Sequence, residues 1–254
     1  MDIKGKFSLN GKKAYVTGGA SGIGKSISIA LAQSGADVAI VDRNLLEAEK
    51  AAKEVALCGV KTVALKADVS DPEDVNKMMD SILNAFGTLD IAFNNAGICE
   101  CSKAEDMTYD SWMRVINVNL TGVFLTSQAA GRVMIKKGSG SIINTASMSG
   151  HIVNDPQRQC AYNASKAGVI MLTKSLAVEW APYNVRVNCI SPGYIATNMT
   201  KKEDPLVPTW LAVTPMKRLG TPEELQGIVV YLASDASTFT TGSDIVIDGG
   251  FTCV

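Results

Sequence analysis

Residues 13–24, KAYVTGGASGIG, decide the fold of this chain. The apolar run at their start is typical of a buried strand, and the glycines Gly18, Gly22 and Gly24 follow it directly. Glycine lets the chain turn sharply, and it lets a phosphate approach the backbone at the positive end of a helix. Because helical apolar spacing continues to residue 36, the stretch predicts a strand, a tight turn and a helix.

The same alternation of strand and helix continues along the chain. Apolar runs at residues 37–43 and 61–69 are each followed by an amphipathic segment of helical length. Further strand-like runs lie at residues 89–97, 140–147, 185–193 and 243–250. Strands that alternate with helices form parallel sheets with helices on both faces. We therefore predict an α/β protein with a doubly wound parallel sheet of seven strands.

Composition limits the organisation of the protein and its partners. The 254 residues include 24 Lys and Arg against 25 Asp and Glu, so the formal net charge is −1. No stretch of the sequence resembles a linker, so we expect one domain over residues 1–254. Nucleic acids and anionic membranes bind basic surfaces, which a balanced charge disfavours. With no apolar leader and no apolar run near the ~20 residues of a membrane span, we predict a cytoplasmic protein.

The six cysteines and the single histidine bear on metal and hydrolytic chemistry. Cys99 and Cys101 stand close together, but neither a second pair nor a histidine cluster completes a zinc site. His151 follows Ser147 by only four residues, which disfavours a hydrolytic Ser–His–Asp arrangement. We predict reduced cysteines and no metal site.

Asp42 is the candidate for binding an adenosine ribose. It ends the second predicted strand, 18 positions after Gly24, where a dinucleotide-binding fold places its ribose acid. A carboxylate there repels a 2′-phosphate, and Ser21 adds no positive charge to the glycine loop. Arg43 is the counter-argument, because a guanidinium binds phosphate well. We expect the acid to dominate and predict NAD rather than NADP; helix capping is the alternative role of Asp42.

Four motifs in order along the chain carry a resemblance to a known family: TGGASGIG at residues 17–24, Asn94-Asn95-Ala96-Gly97, Tyr162-x3-Lys166 and Pro192-Gly193. The chain resembles the short-chain dehydrogenase/reductase family in its single-domain form, over nearly its whole length. The resemblance implies a Rossmann fold. It implies cofactor contacts from Gly18, Ser21, Gly22, Ile23, Gly24, Asp42, Asp68, Val69, Asn95, Ala96, Gly97, Tyr162, Lys166, Pro192, Gly193, Ile195 and Thr197.

The predicted reaction moves a hydride between nicotinamide and a secondary alcohol or its ketone. It also needs a group that takes the hydroxyl proton and returns it, and Tyr162 is the candidate for this acid–base role. A free phenol has a pKa near ~10, so its surroundings must favour the phenolate. Lys166 lies one helical turn away, and we expect its charge, with that of the nicotinamide, to lower the pKa of Tyr162. Ser147, at the end of a predicted strand, should bind the substrate oxygen. The resemblance alone adds Asn119 as a fourth catalytic residue, which supports a water beside Lys166.

The substrate is indicated less directly. Residues 150–161 are rich in hydrogen-bonding side chains, and we name Asn154 and Gln159, with Ser147 and Tyr162, as substrate-binding. Residues from about 197 to 220 resemble a mobile substrate lid. Similarity to bacterial polyol and sugar-alcohol dehydrogenases favours a polyol. The apolar lid residues leave open a hydrophobic ketone or steroid, and 3-oxoacyl-carrier-protein reduction is a further alternative.

The resemblance also bears on assembly and on non-catalytic roles. It implies a homotetramer that uses the long middle helices and the C-terminal segment. A remote alternative is a catalytically idle NAD-binding sensor, which the intact set of Ser147, Tyr162 and Lys166 disfavours.

Overall fold

The structure of the protein is a computed structural model, which describes residues 2–200 and 203–254. The strands are β1 (Lys13–Thr17), β2 (Asp37–Asp42), β3 (Thr62–Lys66), β4 (Ile91–Asn94), β5 (Gly140–Thr145), β6 (Val185–Pro192) and β7 (Asp244–Ile247). The helices are α1 (Ile3–Lys6), α2 (Gly22–Gln33), α3 (Leu45–Ala56), α4 (Pro72–Phe86), α5 (Tyr109–Ile116), α6 (Gly122–Lys137), α7 (Cys160–Trp180), α8 (Val207–Val213) and α9 (Gln226–Ala233).

The seven strands form one sheet in the order β3-β2-β1-β4-β5-β6-β7, and every neighbouring pair is parallel. The predicted seven-stranded doubly wound sheet is therefore confirmed. The central strands are buried on both faces, because apolar residues such as Val16, Ile40 and Phe93 occur without the polar alternation of a half-exposed strand.

Two apolar layers cover the sheet. On one face, α2, α3 and α9 contribute side chains such as Leu31, Val55 and Leu232 to a continuous core. On the other face, α4, α6 and α7 contribute residues that include Ile82 and Met134. Helices on both sides explain why a parallel sheet is stable here, since neither face is left in water.

A buried polar network interrupts the second apolar layer. The Nδ2 of Asn94 on β4 donates to the Oδ1 of Asn144 on β5 at 2.9 Å, and the Nδ2 of Asn144 donates to Thr173 Oγ1 on α7 at 2.9 Å. The phenol of Tyr15 donates to Asn94 Oδ1 at 2.8 Å. Because each of these groups is buried, every bond satisfies a polar atom that would otherwise be unpaired. The network ties α7 to the centre of the sheet.

The order of the strands determines where a ligand binds. β1 and β4 are adjacent although the chain leaves β1 towards β2, so the connections diverge at their carboxyl ends. Open α/β sheets bind ligands in the crevice at this point. The glycine loop follows β1, and Asn95 follows β4, so both predicted motifs lie at this edge.

Candidate active site

A cavity of about 630 Å³ lies at the carboxyl ends of the central strands. The predicted cofactor residues that line it are Gly18, Ser21, Gly22, Ile23, Asp42, Asp68, Val69, Asn95, Ala96, Gly97, Tyr162, Lys166 and Thr197. The sequence analysis named Arg43 only as a counter-argument and did not name Asn44, Glu47 or Thr145, which also line the cavity. The structure therefore brings most of the predicted cofactor residues around one space.

The glycine loop fits a dinucleotide because it leaves room that a side chain would fill. Gly18 and Gly22 have φ angles of +61° and +52°, a conformation that L side chains rarely adopt. A Cβ on Gly18 would lie 3.1 Å from the Cα of Ala96. Within the described chain, the Ser21 hydroxyl makes no capping bond to the first turn of α2, so it is available to a ligand. The residues at this helix start therefore suit a pyrophosphate.

Asp42 lies at the end of β2 on the rim of the cavity. Its Oδ2 accepts a long hydrogen bond from the Ala20 N–H at 3.4 Å, and its Oδ1 accepts one from the Asn44 N–H at 3.0 Å. The carboxylate therefore connects the glycine loop to the start of α3 while it remains partly exposed. Ionised oxygens have capacity for further donors such as ribose hydroxyls.

Four predicted cofactor residues lie outside the lining of this cavity: Gly24, Pro192, Gly193 and Ile195. Gly24 packs under the loop, and a Cβ there would lie 2.1 Å from the Gly18 oxygen. Gly193 and Ile195 instead line a smaller cavity of about 90 Å³ beside β7.

Lys166 is held in place by the strand that precedes Ser147. Its Nζ donates to the main-chain oxygen of Thr145 at 2.7 Å, and the side chain is 3% exposed. Burial lowers the pKa of Lys166 to about 8, because an ammonium loses its hydration there. The Nζ lies 5.5 Å from the centre of the Tyr162 ring, and both side chains project from α7 one turn apart.

The pKa of Tyr162 differs from the sequence expectation. Burial of the phenol raises its pKa to about 12, and the neighbouring Cys99 thiol acts in the same direction. The hydrogen bond with the Ser147 side chain lowers the pKa of Tyr162 but does not offset burial. The expected lowering of the pKa of Tyr162 by Lys166 is not seen in this structure, because desolvation of the phenol dominates and Lys166 is not among the groups that shift this pKa.

Asn119 lies in a π-helical turn, Asn117–Thr121, between α5 and α6. Its Nδ2 donates to Ile98 O at 2.9 Å and to Ser165 Oγ at 3.1 Å, and its Oδ1 accepts from the Ile98 N–H at 2.8 Å. The fully buried side chain thus joins the loop after β4 to α7. Because this amide is already bonded, support for a water beside Lys166 would have to come from the main chain of Asn119.

Ser147 and the predicted substrate residues belong to the chain segment that leads from β5 to Tyr162. Ser147 is buried at the end of β5, and its Oγ accepts from the Ser149 N–H at 3.1 Å. Gln159 Nε2 donates to Asn154 Oδ1 at 3.0 Å and to Asn163 Oδ1 at 2.9 Å. Buried amide groups therefore border the Ser147–Tyr162 pair, although Ser147, Asn154 and Gln159 do not line the larger cavity.

The predicted lid follows β6 and includes α8. Residues 201 and 202 lie outside the described residues. A β-bridge joins Ile195, just before the lid, to Gly220 at its end. Trp210 is 4% exposed and stacks on Tyr194 at a centroid distance of 4.3 Å, whereas Met199 is 57% exposed. One apolar lid residue thus packs inward and another faces solvent.

His151 contacts the edge of the sheet. His151 Nε2 lies 2.6 Å from Asp244 Oδ2, and Ser191 Oγ donates to Asp244 Oδ1 at 2.6 Å, so the imidazole is bonded to the edge strand β7.

Over residues 2–200 and 203–254, His, Cys, Asp and Glu side chains do not form a cluster of three or more that suits a metal. No helix in this part of the chain is long and apolar enough to cross a membrane.

Comparison with known proteins places this site in a family. Residues 18–252 match the family described as enoyl-(acyl carrier protein) reductase. The chain is 47% identical over 250 residues to a sorbose reductase of Candida albicans, covering 97% of this chain and 89% of that protein. It is 43% identical over 259 residues to galactitol 2-dehydrogenase of Rhizobium johnstonii, covering 100% of both.

A solved structure agrees with these matches. The crystal structure of a short-chain type dehydrogenase/reductase from Mycobacterium marinum superimposes with a TM-score of 0.98, at 46% identity and full coverage of both chains. The fold and the matches define an oxidoreductase that uses a nicotinamide cofactor and acts on CH–OH groups. The chain belongs to the short-chain dehydrogenase/reductase family.

The sequence analysis missed Thr145 and the bonding role of Tyr194. Thr145 acts through its main-chain oxygen, which any residue would supply, so no side-chain signal marks it. Tyr194 was not named, yet its hydroxyl and ring join the substrate loop, residues 150–159, to α8. An aromatic residue directly after Pro192-Gly193 was the available signal.

Proposed function

We propose that this enzyme interconverts a polyol or sugar alcohol and the corresponding ketone, reversibly and with NAD as its cofactor. The observation that carries the proposal is that Tyr162 and Lys166 line the large cavity and Ser147 bonds Tyr162, while the chain segment between Ser147 and Tyr162 carries the buried, mutually bonded amides of Asn154 and Gln159. A polyol offers several hydroxyls to such amides, and a substrate without them would leave buried polar groups unpaired. The polyol-directed names of the relatives support the same substrate class.

The chain's own residues divide the chemistry among them. Ser147 Oγ binds the substrate oxygen, and Tyr162 Oη takes the hydroxyl proton during oxidation and returns it during reduction. The bound nicotinamide supplies the hydride acceptor or donor. Lys166 stabilises the ionised phenol, because its ammonium lies 5.5 Å from the centre of the ring. Asn119 holds the loop at Ile98 against α7 and so keeps this side of the site in position.

The preference for NAD rests on charge at the rim of the cavity. Asp42 and Glu47 both line the region beside Arg43. Two carboxylates oppose the extra phosphate of NADP more than one guanidinium attracts it. Asp42 has remaining capacity to accept hydrogen bonds from ribose hydroxyls.

The test is turnover of a substrate panel followed by the absorbance of the reduced cofactor. The panel contains polyols, hydroxysteroids and acetoacetyl esters, each with NAD and with NADP. We expect polyol oxidation with NAD, which Tyr162→Phe abolishes while cofactor binding persists. Tyr109→Phe is the matched control, because Tyr109 is 74% exposed on α5. Preference for a steroid or an acyl ester would refute the substrate class, and full activity of Tyr162→Phe would refute the mechanism.

A homotetramer completes the proposal. Exposed apolar side chains lie on the two long middle helices: Phe124 on α6 is 39% exposed, and Met171 and Val178 on α7 are 61% and 78% exposed. Apolar faces of this kind mark interfaces between subunits. Light scattering coupled to size exclusion should give four times the chain mass, and a monomer mass would refute the assembly.

A further inference from the structure

A chain of hydrogen bonds runs from the substrate loop to α8. Gln159 Nε2 donates to Asn154 Oδ1 at 3.0 Å, and Asn154 Nδ2 donates to the Tyr194 hydroxyl at 3.1 Å. The Tyr194 hydroxyl donates to Gln157 Oε1 at 3.1 Å. Trp210 Nε1 on α8 donates to the same oxygen at 3.0 Å. These five residues form the amide relay.

The chemistry of Trp210 sets the direction of every bond in the amide relay. An indole N–H is only a donor, so the oxygen of Gln157 and not its NH2 group must face Trp210. Tyr194 then has to donate to that oxygen, and its own oxygen accepts from Asn154. The NH2 group of Asn154 is thereby committed to Tyr194, and its Oδ1 faces Gln159. The positions of the oxygen and the NH2 group in each Asn and Gln side chain are therefore fixed by the preceding hydrogen bond in the relay.

The relay ends by presenting the oxygen of Gln159 as an acceptor. Gln159 Nε2 donates to Asn154 Oδ1 at 3.0 Å and Asn163 Oδ1 at 2.9 Å and lies within a longer 3.4 Å of Ser149 Oγ, so both of its protons are used. Within the described residues, the partner of Gln159 Oε1 is the Cys99 thiol at 3.7 Å, a weak donor. Gln159 is 7% exposed, and its hydrogen bonds reach Asn163, which follows Tyr162 on α7, and Ser149, whose N–H donates to Ser147 Oγ. A buried carbonyl beside the reacting groups thus lacks a strong donor.

We propose that Gln159 Oε1 selects substrates that carry a hydroxyl next to the reacting carbon, and that Gln157, Tyr194 and Trp210 are positioning residues that keep this oxygen turned towards the substrate. The inference rests on the proposed function, because it assigns one contact to a polyol. A hydroxyl donates to Gln159 Oε1, whereas a substrate without that hydroxyl leaves the buried oxygen unpaired.

The experiment compares two alcohols that differ by one neighbouring hydroxyl, vicinal butanediol and sec-butanol. Gln157→Met removes the acceptor at the head of the relay and keeps the shape of the side chain. Gln157→Glu is the matched control, because a carboxylate still accepts from Tyr194 and Trp210. Tyr194→Phe breaks the relay at its centre and keeps the ring that stacks on Trp210. The readouts are kcat and KM for each alcohol.

We expect the wild-type enzyme to prefer the diol, measured as the ratio of kcat/KM for the two alcohols. Gln157→Met and Tyr194→Phe should lower this preference about tenfold, mainly through the KM of the diol, whereas Gln157→Glu should keep it. An unchanged preference in Gln157→Met, or an equal loss for both alcohols, would overturn the inference and leave the proposed function standing. A wild-type enzyme that oxidises neither the diol nor any polyol would overturn both.

Discussion

The buried ammonium of Lys166 should make the stability of this enzyme depend on pH. Burial lowers the pKa of Lys166 to about 8, from an ordinary value of 10.5 in the unfolded chain. Between these two values the unfolded state binds more protons than the folded state, so the stability of the wild-type protein rises with pH. The destabilisation is complete below pH ~8 and disappears above pH ~10.5. Methionine has no titratable group, so the Lys166→Met variant lacks this contribution to the pH dependence of stability.

The size of the effect follows from the difference in pKa. A shift of roughly 2.5 units corresponds to about 3 kcal/mol at low pH. Between about pH 7 and about pH 9.5, about 2 kcal/mol of this destabilisation should be relieved. The hydrogen bond from Lys166 to Thr145 O is also lost in the variant, which adds an offset that is nearly the same at both pH values.

Urea unfolding at the two pH values, at one protein concentration, measures the effect. The free energy of unfolding of the wild-type protein, minus that of Lys166→Met, should rise by about 2 kcal/mol from pH ~7 to pH ~9.5. Lys4→Met is the matched control, because Lys4 is exposed on α1 and its replacement removes the same charge. If the wild-type and Lys166→Met curves shift in parallel with pH, the buried ammonium does not destabilise the fold.

Three further variants test other parts of the structure. Asn144→Ala removes the buried hydrogen bonds to Asn94 and Thr173 and should lower the free energy of unfolding by about 3 kcal/mol, measured in urea; a change under about 1 kcal/mol would contradict the network. Asp42→Ala combined with Ser21→Arg should shift the NAD-to-NADP ratio of kcat/KM about thirtyfold towards NADP, and an unchanged ratio would refute the role of Asp42. Gly24→Ala places a Cβ 2.1 Å from Gly18 O, so calorimetric titration should detect weakened cofactor binding, and wild-type affinity would contradict this packing.

Much of the fold is readable in local sequence. The run that ends in Gly18, Gly22 and Gly24 predicts the first strand, turn and helix, because glycine adopts the positive φ angles found at Gly18 and Gly22 most readily. Alternating apolar segments predict the parallel sheet in the same way. The spacing of Tyr162 and Lys166 places both on one face of α7, which begins at Cys160.

The pKa values of the site residues are harder to predict from the sequence, because the burial of a side chain depends on the whole fold. Sequence reasoning assigns Lys166 an effect on the pKa of Tyr162 but does not measure the desolvation that raises that pKa to about 12. It also places Asn119 beside a water, whereas its amide bonds the main chain of Ile98, a partner 21 residues away. Contacts made through main-chain atoms, such as that of Thr145, leave no mark on residue identity.

The polar network in the sheet has a consequence for motion. Thr173 bonds Asn144, and two helical turns earlier Lys166 bonds the adjacent residue, Thr145. The catalytic helix and its strand are thus fastened at two points, and sliding one along the other would break both fastenings together. If the site rearranges during turnover, we expect the loop before Cys160 and α8 to move rather than α7 against β5. Amide hydrogen exchange should show slow exchange in α7 and β5 even when those two segments exchange quickly.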